Sequence, residues 1–174
     1  MSQRFGKIMQ LGYVVHDLDA EVDHWTRVMG VGPFFVTGTV PYDTVTFRGA
    51  PCDAETRVAI ASHDGMQIEI IQQTGGGAST FTEFLEATGG GLHHVCALTD
   101  DLEADIAAWA ARGVDVLQGG VTKAKIPFAY MDTDPDNRGR VLELVQPSPG
   151  LLRFFDKIET TCSGWDGQTA RIDL

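Results

Sequence analysis

The sequence is poor in cysteine and in basic residues, and it contains no long apolar run. Its three cysteines, Cys52, Cys96 and Cys162, form no CxxC pair, which argues against a disulfide framework and favours a reduced, cytoplasmic protein. It has 13 Lys and Arg against 24 Asp and Glu, so it lacks the basic surface that nucleic acids and anionic membranes require. No stretch has the length of a signal-peptide core or of a transmembrane helix. We therefore expect a cytoplasmic protein whose partners are small molecules.

Hydrophobic periodicity divides the chain into strands and short helices. Period-2 patterns predict strands at residues 8–15, 34–40, 42–47, 56–62 and 66–73, and again at 92–98, 114–121, 127–132 and 141–146. Helical spacing predicts helices that begin at Asp17-Leu18-Asp19 and at Asp100-Asp101-Leu102-Glu103, a short helix at 80–87 and a further helix at 151–161. The tripeptide His63-Asp64-Gly65 predicts a tight hairpin, because Asp-Gly tolerates the positive φ values of such turns.

The second half of the chain repeats the first. Residues 17–20 (Asp-Leu-Asp-Ala) match 101–104 (Asp-Leu-Glu-Ala), and Trp25 matches Trp109, each 84 positions later. Residues 68–72 match 142–146 with an offset of 74, so the second copy is ten residues shorter (84 − 74). We infer an internal duplication of a β-α-β-β-β unit. It predicts a first module at 6–74, a linker with a short helix at 75–90, a second module at 91–148, and a C-terminal helix and tail at 149–174.

Each copy carries one polar residue on its first strand and one glutamate within an apolar last strand. Gln10 and His94 are again 84 positions apart, and Glu69 and Glu143 are the two glutamates. A buried carboxylate needs a partner or a metal, since leaving it unpaired is costly. If the copies pack around a pseudo-twofold axis, the four side chains converge and offer three oxygen donors and one nitrogen to a divalent cation. The simpler alternative is that each glutamate faces solvent, which the symmetric repetition disfavours.

The triple glycine 89–91 joins the copies and is followed by two adjacent histidines. Neighbouring side chains of a strand point to opposite faces, so only one histidine can face a given cavity. His94 is in register with Gln10 and His93 is not. We therefore expect His93 to be a packed or capping residue rather than a ligand.

These features resemble the vicinal oxygen chelate superfamily, and within it the branch of methylmalonyl-CoA epimerase and glyoxalase I-like proteins. The resemblance rests on the paired modules, the run 91–95 (Gly-Leu-His-His-Val) and the two Ile/Leu-Glu-Ile/Leu strands, and covers residues 6–148. It implies an α+β fold in which two tandem βαβββ modules form a half-open, curved mixed sheet around a central cavity, followed here by a helical tail. It also implies one divalent metal ion (Zn, Ni, Co, Mn or Mg) at Gln10, Glu69, His94 and Glu143, and a homodimer.

The resemblance implies proton abstraction next to a carbonyl of a substrate with two vicinal oxygens, through a metal-stabilised enolate or enediolate. Glu143 is the expected base, with Glu69 or a metal-bound water as its partner, which predicts a metal-dependent isomerase, epimerase or lyase. Epimerases of the family usually have histidine where this chain has Gln10, whereas some glyoxalase I enzymes have glutamine there. A metal-free ligand-binding protein of the bleomycin-resistance type is the alternative. An extradiol dioxygenase is less favoured, because it uses two histidines and this chain has one in register.

The substrate is less well defined by the sequence. We expect a small carbonyl compound, apolar or a thioester, in a pocket lined by Phe35, Phe47, Phe128, Tyr130 and Cys96. An anionic carrier such as coenzyme A or glutathione would need cations. The candidates are Arg48, Arg57, Lys123, Lys125, Arg138 and Arg140. The apolar residues of the tail predict that it packs on its own module or on a partner subunit and borders the cleft.

Overall fold

The protein is described from residue 5 to residue 174 by a computed structural model. The strands of this part of the chain are β1 (Ile8–Val14), β2 (Phe34–Thr39), β3 (Tyr42–Phe47), β4 (Ala50–Pro51), β5 (Glu55–His63), β6 (Met66–Gly75), β7 (Gly91–Leu98), β8 (Val116–Thr122), β9 (Pro127–Met131), β10 (Val141–Val145) and β11 (Arg171–Asp173). The helices are α1 (Leu18–His24), which continues as a π-helical turn at Trp25–Met29, α2 (Thr80–Thr88), α3 (Leu102–Ala110) and α4 (Pro149–Ser163).

All the described strands belong to one mixed sheet with the order β11-β2-β5-β6-β1-β7-β10-β9-β8-β3-β4. The first strands of the two copies, β1 and β7, are antiparallel neighbours at its centre. Each is flanked by the parallel last strand of its own copy, β6 or β10, and then by two antiparallel strands. The order is linear, so the curved sheet stays open. The predicted α+β fold with tandem βαβββ modules is confirmed.

One excursion breaks the symmetry of the two copies. Strand β3 follows β2 in the chain, yet it pairs with β8 at the far edge of the second copy, and β4 pairs with β3. The excursion runs from Tyr42 to Pro51, which matches the ten residues by which the first copy is longer. The sequence did not predict this crossing, because the alternation of β3 identifies a strand but not its partner. The domain limits stay a prediction.

The two faces of the sheet have different roles. On β6, Ile68 and Ile70 belong to a core cluster with Leu18 and Val22 of α1, whereas Ile71 belongs to a cluster on the other face. On β10, Leu142 and Leu144 pack in the cluster of α3, and Val141 and Val145 pack on the other face. Glu69 and Glu143 therefore lie on the face that turns away from α1 and α3, as the period of a strand requires.

The C-terminal segment packs on its own chain. Helix α4 begins at the N-cap Ser148 and lies against β5, with Ile158 fully buried. The ring of Phe154 meets that of Phe35 edge to face at 5.9 Å, and β11 adds to β2 as a parallel edge strand. Of the two packings expected for the tail, the structure has the one within the chain. Among residues 5–174, no helix is both long and apolar enough to cross a membrane.

Candidate metal centre

The four central strands bring the predicted ligands to one place. Gly12 of β1 is paired with Glu69 of β6 on one side and with His94 of β7 on the other. Cys96, two residues after His94, is paired with Glu143 of β10. Because the order is β6-β1-β7-β10, the two glutamates approach the centre of the sheet from opposite sides.

Three of the four predicted ligands meet directly. His94 Nε2 lies 3.4 Å from Glu69 Oε2 and 3.4 Å from Glu143 Oε2. Each residue offers one ligand atom, and these atoms lie within 4.8 Å of one another. Glu69 Oε2 and His94 Nε2 are buried and make no hydrogen bond within the described chain. Two carboxylates and an imidazole with uncompensated buried atoms fit a divalent cation, so the three side chains form a candidate metal centre.

Gln10, the fourth predicted ligand, lines the same cavity and is only 4% exposed. Its Nε2 donates a hydrogen bond of 3.1 Å to Gln67 Oε1. This bond uses the amide nitrogen and leaves the Oε1 of Gln10 as an acceptor, the atom that a hard cation prefers. Sequence reasoning missed Gln67, although it lies two positions before Glu69 and so on the same face of β6.

Gly12 makes room for the imidazole of His94. A Cβ at position 12 would lie 1.9 Å from His94 Cε1 and 2.1 Å from His94 Nε2, closer than any real contact. The ring of His94 therefore lies over the backbone of β1, and only glycine permits it. The alternating pattern of β1 gave no sign of this requirement, since it depends on the neighbouring strand.

His93 is packed, as expected, and its ring also contacts the ring of His94. The Nδ1 atoms of the two rings are 3.0 Å apart, and His93 Nε2 lies 3.0 Å from Thr80 Oγ1 of α2. Asn137, in the turn between β9 and β10, donates to the carbonyl of Thr80 at 2.7 Å and to its Oγ1 at 3.2 Å. The sequence did not predict this chain of contacts, because it joins three segments that are distant in sequence.

Burial and charge set the protonation of the two histidines. Burial alone would lower the pKa of His94, but the attraction of the nearby Glu143 and Glu69 carboxylates outweighs it and raises the pKa to about 9. Burial raises the pKa of the Glu69 carboxyl, and the neighbouring His94 offsets part of that rise. Burial, and then the charge of His94, hold the pKa of His93 well below its usual range, so that His93 is neutral. Without a cation, the positive charge of protonated His94 offsets part of the charge of the two carboxylates.

The glutamates lie in the wall of a cavity of about 200 Å³. Of the predicted pocket residues, Phe128, Tyr130 and Cys96 line it. Phe35 and Phe47 are not among the residues that line it, which corrects our expectation. Phe35 is 1% exposed and supports α4 from β2, and Phe47 lies on the β3 excursion beneath the guanidinium of Arg48. Both were expected at the pocket because they are aromatic, and aromatic residues serve the core equally well.

Comparison with known proteins agrees with this architecture. The methylmalonyl-CoA epimerase from Mycobacterium tuberculosis superposes with a TM-score of 0.61 at 18% identity, covering 88% of this chain and 95% of that one. A Streptomyces coelicolor methylmalonyl-CoA epimerase variant in complex with 2-nitronate-propionyl-CoA superposes with a TM-score of 0.53 at 21% identity, covering 83% of this chain and 99% of that one. A hypothetical protein from Bacillus halodurans superposes with a TM-score of 0.56 at 15% identity, covering 82% of this chain and 94% of that one. At identities this low, the structural similarity shows a shared fold and nothing beyond it.

Sequence comparison identifies the family. No curated protein matches the chain significantly. The family model described as the glyoxalase/bleomycin resistance protein/dioxygenase superfamily matches residues 9–130, which is more than half of the 174 residues. The chain belongs to the glyoxalase/bleomycin resistance protein/dioxygenase superfamily, the vicinal oxygen chelate proteins.

Proposed function

We propose that the protein is a metal-dependent isomerase, epimerase or lyase that removes a proton from the carbon next to a carbonyl of a small molecule. The observation that carries this proposal is the meeting of Glu69, His94 and Glu143, whose ligand atoms lie within 4.8 Å of one another. A protein that only sequestered a ligand would gain nothing from two carboxylates in the wall of an apolar cavity, because their desolvation costs several kcal/mol each.

The proposed ligands of the cation are Glu69, His94, Glu143 and the side-chain oxygen of Gln10. A divalent ion held by them would stabilise the negative charge that develops on the substrate oxygens as the proton leaves. Three oxygen donors and one nitrogen are compatible with magnesium, manganese, cobalt, nickel or zinc. Elemental analysis of the purified protein identifies which ion is bound.

Glu143 is the proposed base. Its carboxyl group lines the cavity and is 7% exposed, so it is accessible to a bound substrate but shielded from bulk water. Glu69, which belongs to the other copy, is the proposed second proton carrier. Epimerisation needs a proton removed from one face of a carbon and returned to the other. Two carboxylates that approach from opposite sides of the β1–β7 pair suit that requirement better than a single base.

The experiment measures metal content and proton exchange together. The protein is purified without a metal-affinity tag and analysed for divalent metals. It is then incubated in D₂O with 2-hydroxyacetophenone, a neutral compound with oxygens on two adjacent carbons. We expect about one metal per chain and metal-dependent loss of the α-proton signal in NMR. The result that contradicts the proposal is a protein that neither retains nor rebinds a divalent metal, and in which Glu143→Gln leaves ligand affinity unchanged. That result supports a binding protein of the bleomycin-resistance type.

We further propose a homodimer in the cytoplasm. Because β11 already pairs with β2 and α4 packs on β5 within the chain, the tail itself is not needed to complete a partner's site. Sedimentation equilibrium of the full chain measures the oligomeric state.

A further inference from the structure

The cavity at the candidate metal centre is lined mainly by apolar side chains. Beyond Gln10 and the two glutamates, it also contains the neutral hydroxyl residues Thr37, Tyr42, Thr56, Thr122 and Tyr130. Within the described chain its lining contains no Lys or Arg, and Glu69 and Glu143 are its only acidic members. Its walls come from both copies, for example Val58 and Ile71 on one side and Val145 and Phe128 on the other. A charged group placed between such walls would lose its hydration without gaining a partner. The body of a ligand that enters here is therefore apolar.

The roof of the cavity is apolar too. Leu151, Phe154 and Phe155 of α4 line it, and all three are only half-buried in the protein alone. Farther along, α4 is anchored by the fully buried Ile158 and by a hydrogen bond from Ser62 to Glu159. The helix thus holds exposed apolar side chains over the cavity, and an apolar ligand would remove their surface from water.

Most of the basic residues that the sequence offers to an anionic carrier are already paired with carboxylates. Five of the six candidates from the sequence form ion pairs: Arg48 with Glu83 at 2.7 Å, Arg57 with Asp19 at 3.3 Å, Arg140 with Asp134 at 2.7 Å, Lys123 with Asp43 at 2.9 Å, and Lys125 with the same Asp43. The sixth, Arg138, is exposed. Arg153 and Lys157 of α4 are also exposed, but the formal charge of −11 on the chain opposes the approach of the phosphates of coenzyme A.

The size of the cavity limits the apolar body. Its volume is about 200 Å³. An engineered cavity of about 150 Å³ accepts benzene. The space beside the glutamates thus matches one ring or a compact pair of rings.

Resting on the proposed function, we infer that the substrate is an uncharged compound with oxygens on two adjacent carbons, one of which bears an apolar ring, and that it is not the thioester of an anionic carrier. The oxygens face Glu69, His94 and Glu143, and the ring lies between the strand walls and the roof of α4. The Streptomyces coelicolor epimerase, whose complex contains 2-nitronate-propionyl-CoA, shares the fold but not this preference.

The test compares ligands that differ in one feature. Titration calorimetry on the metal-loaded protein compares 2-hydroxyacetophenone with hydroxyacetone, which has the same two oxygens and a methyl group in place of the ring. We expect the aryl compound to bind at least about tenfold more tightly, because the ring buries additional apolar surface. Coenzyme A is expected not to compete with it at millimolar concentration. Equal affinity of the two ketones, or displacement of 2-hydroxyacetophenone by coenzyme A, overturns the inference.

Variants of α4 locate the ring. Phe155→Ala should lower the affinity for 2-hydroxyacetophenone by about fivefold or more and leave the affinity for hydroxyacetone unchanged, since only the ring reaches the roof. Leu152→Ala is the matched control, because Leu152 is on the same helix and is 42% exposed. The assigned position of the ring is wrong if Phe155→Ala lowers the affinity for both ketones, or if Leu152→Ala lowers the affinity for 2-hydroxyacetophenone as much as Phe155→Ala does.

Acetophenone separates this inference from the proposed function. It keeps the ring and one oxygen and cannot chelate, so its binding to the metal-free protein reports the apolar cavity alone. If the protein takes up no metal but acetophenone binds and Phe155→Ala weakens it, the proposed chemistry fails and the apolar preference stands. If metal binds and exchange occurs but acetophenone does not bind, the substrate class is wrong while the proposed function survives.

Discussion

His93 Nδ1 lies 3.0 Å from His94 Nδ1, and this contact determines which nitrogen of His94 faces the carboxylates. One of the two nitrogens must donate the proton, and His93 is neutral because burial lowers its pKa. Because the pKa of His94 is raised to about 9, its Nδ1 carries a proton at neutral pH and donates it to His93 Nδ1. The neutral His93 then carries its own proton on Nε2, next to Thr80 Oγ1. His94 Nε2 then presents its lone pair whenever it loses its own proton. The adjacent histidines are therefore a ligand and the residue that orients it.

Replacing His93 by phenylalanine keeps a buried ring of similar shape and removes the acceptor. We expect His93→Phe to lower the affinity for a divalent cation by about 10- to 100-fold, because His94 loses its orienting partner. Titration of the metal-free protein with Co²⁺, followed by its visible spectrum, measures the change. His93→Gln retains an acceptor oxygen and should recover part of the affinity, and His63→Gln in the exposed hairpin is the control. Unchanged Co²⁺ affinity and spectrum in His93→Phe would refute the orienting role.

Adding a methyl group at Gly12 should displace the imidazole of His94. The new Cβ would lie 1.9 Å from His94 Cε1, so the ring must move or the strands must separate. We expect Gly12→Ala to lower the free energy of unfolding by about 1–3 kcal/mol and to weaken metal binding by about tenfold or more. Gly38→Ala in β2 is the matched control, since a Cβ there meets no atom within 4 Å. Wild-type metal affinity in Gly12→Ala would contradict this packing.

Glu143→Gln removes the proposed base and keeps its shape. We expect deuterium exchange into 2-hydroxyacetophenone to slow by about 10²- to 10⁴-fold, the range that a positioned base contributes. Glu69→Gln should slow the exchange of the second α-proton more strongly than that of the first, if the two carboxylates serve opposite faces of the α-carbon. Glu103→Gln, an exposed residue in the first turn of α3, is the control. Wild-type exchange in both site variants would exclude carboxylate catalysis.

The stability of the metal-free protein should fall at alkaline pH. The pKa of His94 is raised from its ordinary value of 6.5 to about 9, so the folded state holds this proton more tightly than the unfolded state. The stabilisation is complete below pH 6.5 and is lost as the pH rises through about 9. Its size is on the order of 3 kcal/mol. Urea unfolding between pH 6 and pH 10 measures it.

His94→Gln is the test of that pH dependence. The variant lacks the titrating imidazole, so its free energy of unfolding should not fall between pH 6 and pH 10 beyond the change that the other titratable groups cause in both proteins. A saturating divalent cation should also flatten the wild-type profile, because it takes the place of the proton between the carboxylates. An identical slope in wild type and His94→Gln would show that another group titrates.

Much of the fold followed from local sequence patterns. Alternation identified the long strands, and the recurring Asp-Leu-Asp/Glu-Ala predicted two helices whose N-caps are equivalent, Asp17 and Asp101. The offsets of 84 and 74 then separated His94 from His93 and related Gln10, Glu69 and Glu143. This worked because the period of a strand and the register of a duplication are properties of the chain itself.

Contacts between distant segments followed only from the tertiary structure. Strand pairing took β3 to the second copy, and the turn at Asn137 reached Thr80, 57 positions away. The side-chain packing moved Phe35 and Phe47 away from the cavity and made Gly12 essential to His94. Periodicity tells which face a side chain takes, but not which element covers that face. Local patterns thus sufficed to find the repeat and to select the four polar residues, whereas the residues that orient them and the helix that covers them depend on tertiary packing.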